Sequence, residues 1–273
     1  MNKRELVCYN TDASRMIGKA ENVYFPKSKE EVSSIVRNSA LDIVPRGAGT
    51  NFMGGTIPNN SIVIDLGKMN KVTEFNPIKK TVHVEAGITI NELNEKLNSV
   101  GFEFPIYNSY KLFSTIGGLI ALNLSGERSM KYGNVRDWIE EIEFVNGKGE
   151  ISKTSKADMM DICSMEGITG VITEATIKII PLIKRTASIF QSDNIEEIFD
   201  MFRKLKSEKE VVMLMLIPPS VSEWLGFKKK YNLIIEFDTN RGKIYGEEYL
   251  KLKKDLKLII KSIFAKYYIV MKI

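Results

Sequence analysis

Between residues 20 and 182 the apolar positions fall in short clusters separated by glycine, proline and asparagine, the pattern of short strands joined by tight turns. This stretch predicts a helix over 28–40, strands near Ile43, over 61–65 and over 81–85, and a second helix over 90–99. Thr89 precedes the apolar-periodic run of that second helix and Glu92 follows three residues later, a capping-box signature that fixes where the helix begins. After Pro181 the rhythm changes. It predicts a strand over 186–191, a helix over 195–207, strands over 211–217 and 233–238, a helix over 243–262 and a strand over 266–271, with PPSVSEW (218–224) as the loop between the middle strands. That order, βαββαβ, is the ferredoxin-like arrangement. The expectation is therefore an α+β chain of two domains, 1–182 and 183–273, with residues 1–19 an arm that reads equally as helix or entry strand.

Two glycine-rich stretches interrupt the first domain. VPRGAGTNFMGG (44–55) follows the apolar run 41–44 and Pro45, so it reads as a strand stopping at a tight turn. Glycines reach positive φ without a Cβ penalty and let consecutive amides converge as a nest of N–H donors for phosphate oxygens, to which Arg46, Thr50 and Asn51 can add side-chain donors. Taken alone, PRGAGT is equally a surface turn. The spacing is neither that of a Walker loop nor that of GxGxxG opening a helix. About sixty residues later the chain reads STIGGLIALNLSGERSMKYGNVRDW (114–138), with Gly117 and Gly118 after Thr115.

Taken in order, PRGAGT, VEAGITINELNEKL (84–97), TIGGLIALNLSG (115–126), YGNVRD (132–137) and SMEGITGVITEATIKIIP (164–181) resemble the FAD-binding domain of the vanillyl-alcohol oxidase and p-cresol methylhydroxylase family, and within it the glycolate oxidase and D-lactate dehydrogenase branch. The resemblance covers roughly residues 20–182. It implies a two-part FAD-binding domain, with the backbone of Arg46, Gly47, Ala48 and Gly49, together with Thr50 and Asn51, cradling the diphosphate and Thr115, Gly117 and Gly118 closing it from the other side. Asn123, Ser125 and Gly126 would skirt the flavin, and Gly170, Val171 and Ile172 would pass the adenosine part through backbone groups. Arg128 or Lys131 would either place charge near the flavin or stand as exposed loop cations.

Composition agrees with a folded protein of this kind: 273 residues, 44% of them hydrophobic and 27% charged, are enough to bury about three quarters of the unfolded chain's surface. No window of ~20 uncharged apolar residues is present and the N-terminal MNKRELVCYN has no signal-peptide core, so a cytoplasmic location without a transmembrane segment is the expectation. Cys8 and Cys163 have no metal or iron–sulfur spacing. The net charge of +5 is spread along the chain, which argues against a nucleic-acid face. No metal site is expected.

The chain also departs from the resemblance. Relatives of the glycolate and lactate branch carry a larger second domain with a histidine-rich segment that handles the substrate hydroxyl proton, whereas this chain has a single histidine, His83, in a strand-like stretch that reads as a surface or satisfied position. No catalytic base is assigned. Neither glycine-rich stretch contains a histidine, so the FAD is expected to be non-covalent. The resemblance implies an oxidoreductase subunit that moves a hydride from a small 2-hydroxy acid such as glycolate or lactate to FAD, completed by a second subunit or electron acceptor. Two readings stay open: a free-standing enzyme using Tyr, Lys or Glu as base, and a flavin-binding scaffold with little activity of its own. In Pro105–Tyr110 neither ring shielding nor seam packing is assigned to Tyr107 and Tyr110. The segment 224–227, with two large aromatics, is a candidate partner surface.

Overall fold

A computed structural model describes residues 6–238 except 107, 109, 110 and 155. The helix predicted over 243–262, the strand over 266–271, and Tyr107 and Tyr110 lie outside the described residues. The chain divides into two compact units: one runs to Gly126 and resumes over Asn134–Leu182, and the other combines Glu127–Gly133 with the chain from Ile183 onward.

The first unit contains two main sheets. In the smaller, β1 (Lys19–Tyr24), β3 (Asn59–Asp65) and β2 (Ile43–Arg46) lie parallel in that order. Parallel strands are covered on both faces, and β3 accordingly reads Ser61–Ile64 as a run of consecutive buried residues. In the larger sheet β4 (Val72–Asn76), β5 (Thr81–Glu85), β9 (Val171–Lys178), β7 (Ile139–Val145) and β8 (Ile151–Thr154) are antiparallel throughout, in that order. Strand β9 alternates from Thr173 onward, with Thr173, Ala175 and Ile177 buried, as a half-covered strand should. A short antiparallel pair, β6 (Phe102–Glu103) with β10 (Ile180–Pro181), closes this unit.

Helix α1 (Lys29–Asn38) starts where Ser28 accepts from the Glu31 amide. Its first residue anchors it to the larger sheet, since Lys29 Nζ reaches Glu143 at 2.6 Å and Glu174 at 2.7 Å. Helix α2 (Ile90–Ser99) begins with the Thr89–Glu92 capping box that the sequence predicts, and it buries Ile90, Leu93 and Leu97. Helix α3 (Ile116–Leu122) was not anticipated from TIGGLIAL. Thr115 caps it by accepting from the Gly118 amide, and Asn123 ends it in the left-handed conformation at φ 45°.

In the second unit β11 (Thr186–Ser192), β13 (Tyr231–Phe237) and β12 (Val211–Ile217) form an antiparallel sheet in that order. Helix α5 (Ile195–Leu205) buries Ile198 and Leu205 against Leu233, Ile235 and Phe237. The short helix α4 (Ser129–Tyr132) belongs to this unit and is held by charge. Arg128 makes a two-pronged bond to Glu236, at 2.8 Å from both Nε and Nη2, and Asp238 takes Tyr132 Oη at 2.7 Å and lies 2.8 Å from Arg185 Nε.

PPSVSEW departs from the loop expectation: Pro219–Trp224 is a helix, α6, with proline at its first position, where the missing amide costs nothing. Fully buried Ser222 and Asn232 fix it, with Asn232 Nδ2 donating to Ser222 Oγ at 2.7 Å. Of the aromatic segment after it, Leu225 and Phe227 pack against Ile189, Ile217 and Ile234, while Trp224 is half-exposed.

Candidate cofactor site

A cavity of about 380 Å³ opens within the first unit, and both glycine-rich stretches line it. Residues 45–53 with Gly55 and Thr56 form one wall. Ser114, Thr115 and the start of α3 form the second, and Glu166, Gly167, Gly170 and Ile172 the third, over a floor that includes Leu66 and Ala86.

Chain geometry explains why these loops converge. Strand β2 ends at Arg46, whose carbonyl accepts from the Leu66 amide at 3.0 Å, so the first loop leaves from the end of the parallel sheet. The start of α3 is sewn to the segment after β5, because Ile116 donates to the Ile88 carbonyl at 2.9 Å and Gly117 to the Ala86 carbonyl at 2.8 Å. The third wall hangs on the end of α3, with Glu166 donating to the Ala121 carbonyl at 2.9 Å.

Glycine is required at several of these points for identifiable reasons. A Cβ on Gly47 would strike Thr115 Oγ1, so the first two walls approach only because that position is bare, and a Cβ on Gly117 would lie 2.8 Å from the Ala86 Cβ, so the start of α3 sits on the floor only because that position is bare too. Gly49 combines φ +65° with the Arg46 guanidinium directly behind it. A Cβ on Gly170 would sit 2.7 Å from the Val145 carbonyl oxygen.

Of the residues expected from the sequence, the structure brings together Arg46, Gly47, Ala48, Gly49, Thr50, Asn51, Thr115, Gly117, Gly118, Gly170 and Ile172 around the cavity. Asn123, Ser125, Gly126 and Val171 are not among its lining residues. Asn123 instead accepts from the Arg136 amide at 3.1 Å, and Ser125 Oγ donates to Asn134 Oδ1 at 2.6 Å, so both organise the chain that follows α3. Asp137 accepts from the Asn134 amide. Arg128 and Lys131 are engaged by Glu236 and Asp238 of the second unit.

Asn108 and Glu166 are lining residues to which the sequence reading gave no role. The signal for Asn108 is weak, a single amide in an aromatic stretch, yet it is buried, donates to Ser114 Oγ at 3.3 Å and leaves Oδ1 without a hydrogen-bond partner among the described residues. Arg46 is likewise buried, with Nη1 unpartnered among the described residues; burial pushes its pKa below the ordinary arginine value while Asp12 and Asp65 pull it back. A donor and an acceptor, each buried and incomplete, thus belong to residues around one cavity walled by glycine-rich loops. Such a set fits a dinucleotide carrying both anionic oxygens and hydrogen-bond donors.

His83 is elsewhere, in β5 beside Thr176, Glu143 and Glu174. His83, Glu143 and Glu174 lie close enough together to hold a metal, but Lys29 bridges both carboxylates and Lys153 pairs with Glu143 at 2.6 Å, so two cations already balance two anions. Among the described residues no helix is long and apolar enough to cross a membrane.

Residues 20–155 match the model of the FAD binding domain family. The chain is 32% identical over 205 residues to a D-lactate dehydrogenase of Anaerostipes hadrus, covering 69% of this chain and 43% of the relative. It is 33% identical over 172 residues to the glycolate oxidase subunit GlcD of Bacillus subtilis (58% and 37%), and 30% identical over 170 residues to a D-2-hydroxyglutarate dehydrogenase of Xanthomonas citri (58% and 36%). The chain therefore spans about two fifths of the length of these curated relatives. A solved alkyldihydroxyacetonephosphate synthase matches over 89% of this chain and 52% of its own length with a TM-score of 0.73; at 24% identity that shows the fold. Glycine loops that close on one cavity, the family match over them and these relatives agree: the chain belongs to the vanillyl-alcohol oxidase and p-cresol methylhydroxylase family of FAD-binding oxidoreductases.

Proposed function

We propose that this chain is the flavin-binding subunit of a cytoplasmic oxidoreductase that oxidises a small 2-hydroxy acid, such as glycolate or lactate, by hydride transfer to non-covalently held FAD. The single observation that carries the reading is the convergence of the PRGAGT loop and the TIGG helix start on one cavity. In this proposal the division of labour along the chain is 1–182 for FAD and 183–273 for a cap of ferredoxin-like βαββαβ type. The described sheet order β11-β13-β12, antiparallel throughout, supports that topology, since the first and second strands of such a unit flank the third.

The residues divide the work as follows. Amides of residues 46–49, with Thr50 and Asn51, hold the diphosphate, while Thr115, Gly117 and Gly118 close it. Gly170, Val171 and Ile172 pass the adenosine part, and Asn123, Ser125 and Gly126 shape the chain beside the flavin. Bound FAD supplies the two-electron acceptor. Neither glycine-rich stretch contains a histidine, so in this proposal the FAD is held without a covalent bond, no residue of this chain is assigned as proton base, and a second chain is the partner that completes the enzyme. Half-exposed Trp224 is the surface aromatic we assign to that contact.

The test is a visible spectrum of the purified protein, with FAD added and then glycolate or D-lactate under anaerobic conditions. Bound flavin that bleaches establishes the activity. Bound flavin that bleaches only when a co-purifying chain is present establishes the subunit reading. Absence of flavin binding overturns the site.

A further inference from the structure

The segment Tyr9–Ala13 precedes the stretch that carries the family resemblance, yet it touches the first glycine loop at three points. The Ala13 amide donates to the Gly49 carbonyl at 3.1 Å, and Arg46 Nη2 donates to the Thr11 carbonyl at 3.0 Å. Asp12 accepts from the Ser14 amide at 2.8 Å and from the Thr56 hydroxyl at 2.9 Å, which ties down the far end of the loop.

Arg46 is fixed most completely. Its guanidinium carbon lies 5.3 Å from the centroid of the Tyr9 ring, a cation–π distance, and the ring is itself anchored because Tyr9 Oη donates to Asp65 Oδ2 at 2.8 Å. Gly49 covers the guanidinium from the loop side, where a Cβ would collide with Nη2. Only 8% of Arg46 is exposed, and Nη1 has no partner among the described residues. A guanidinium offers five donors and no acceptor, so a buried nitrogen left unpaired calls for an anionic or carbonyl oxygen. That demand arises behind a loop whose amides already suit phosphate oxygens.

We propose that the Arg46 side chain, in addition to its backbone, is part of the diphosphate site, and that Tyr9, Thr11 and Ala13 are the residues that position it. The proposal rests on the FAD reading above. Thr11 and the Tyr9 ring hold the guanidinium against the back of the loop, and Ala13 takes up the Gly49 carbonyl, so that the fixed charge and the amide nest serve the same anion. By reciprocity, the cofactor stabilises the segment that holds Arg46.

The test is FAD titration followed by quenching of flavin fluorescence, at low and at moderate salt, with the apoprotein Tm measured for each variant. Arg46→Met is expected to raise the Kd for FAD about tenfold or more and to flatten its salt dependence, because a charge-assisted bond is removed. Arg46→Lys, which keeps the charge and loses the fork, is expected to fall between. Tyr9→Phe, which keeps the ring, is expected to stay within about threefold of the wild type, and Tyr9→Leu to approach Arg46→Met. A merely structural arginine would lower the Tm and leave Kd and its salt dependence unchanged, and that result overturns the proposal. So does equal weakening by Tyr9→Phe and Tyr9→Leu. If Arg46→Met does not fold, Arg46→Lys and the Tyr9 pair decide by the same criteria. A wild-type protein that does not bind FAD refutes the underlying site reading instead, so the two failures are distinguishable.

Discussion

Thr115 and Gly47 meet across the cavity so closely that a Cβ on Gly47 would overlap the Thr115 hydroxyl. Residues 68 positions apart thereby seal the two glycine-rich stretches against each other. The contact also has a second duty, because the same hydroxyl caps α3 by accepting from the Gly118 amide at 3.3 Å.

Gly47→Ala should therefore force the walls apart and weaken FAD binding by about tenfold or more, with only a modest loss of stability, on the order of 1 kcal/mol, because the loop lies at the rim of the core. Removing the obstacle in the double variant Gly47→Ala/Thr115→Ala should recover part of the affinity, at a cost of about 1 kcal/mol from the lost helix cap. Fluorescence titration of the two variants decides this. Equal Kd values for single and double variants would mean that the Gly47–Thr115 contact does not govern the site.

Asn108 makes a different prediction. Asn108→Ala gives up one long hydrogen bond to Ser114, at 3.3 Å, so the Tm should change by little more than the measurement error. If Oδ1 accepts from the cofactor, however, the Kd for FAD should rise by about threefold to tenfold. A variant that binds as tightly as the wild type would remove Asn108 from the site.

What the sequence made legible follows from how local each signal is. Thr89 and Glu92 cap their helix through bonds spanning three residues, and the short apolar runs at 211–217 and from 233 are likewise local; both were readable. The glycine loops were readable through their order and resemblance, yet the closeness of Gly47 to Thr115 and the hold of Tyr9 on Arg46 are long-range contacts that no window contains. Helix α3 was hidden because two consecutive glycines lower helix propensity, and tertiary bonds from Ile116 and Gly117 override that penalty. PPSVSEW read as a loop for a similar reason: its helix is six residues long and depends on Ser222 finding Asn232 in the next strand.

That last dependence is testable. Asn232 is fully buried, donating to Ser222 Oγ at 2.7 Å and to the Lys230 carbonyl at 2.8 Å, so Asn232→Leu strands several polar groups at once. The expected loss is about 2–4 kcal/mol in urea unfolding of the C-terminal unit, with FAD binding by the wild-type loops retained. A variant as stable as the parent would show that helix α6 is held by Leu225 and Phe227 packing alone.

The pairing of Lys29 with Glu143 and Glu174 predicts how the first unit responds to acid. Burial alone would raise the Glu143 pKa, but hydrogen bonds from Lys153 and Lys29 outweigh it and hold the carboxyl down to about 2, against an ordinary 4.5. A carboxylate whose folded pKa is depressed contributes stability that is fully present above its unfolded value and is lost as pH falls through the folded one. The unit should therefore keep this contribution at pH 5 and lose it between about 4.5 and 2. Lys29→Met removes the cation shared by two carboxylates, leaving Glu143 with Lys153 and Glu174 without its 2.7 Å partner. Breaking a buried pair costs about 3–5 kcal/mol, and because the Lys29 side chain is 28% exposed the smaller figure of about 2–3 kcal/mol near neutral pH is expected. With less holding Glu143 down, its pKa climbs and the acid transition of the variant moves to higher pH. Circular dichroism across pH 2–7 for both proteins measures the shift. Coincident acid midpoints would mean that Lys29 contributes no more than a surface charge does.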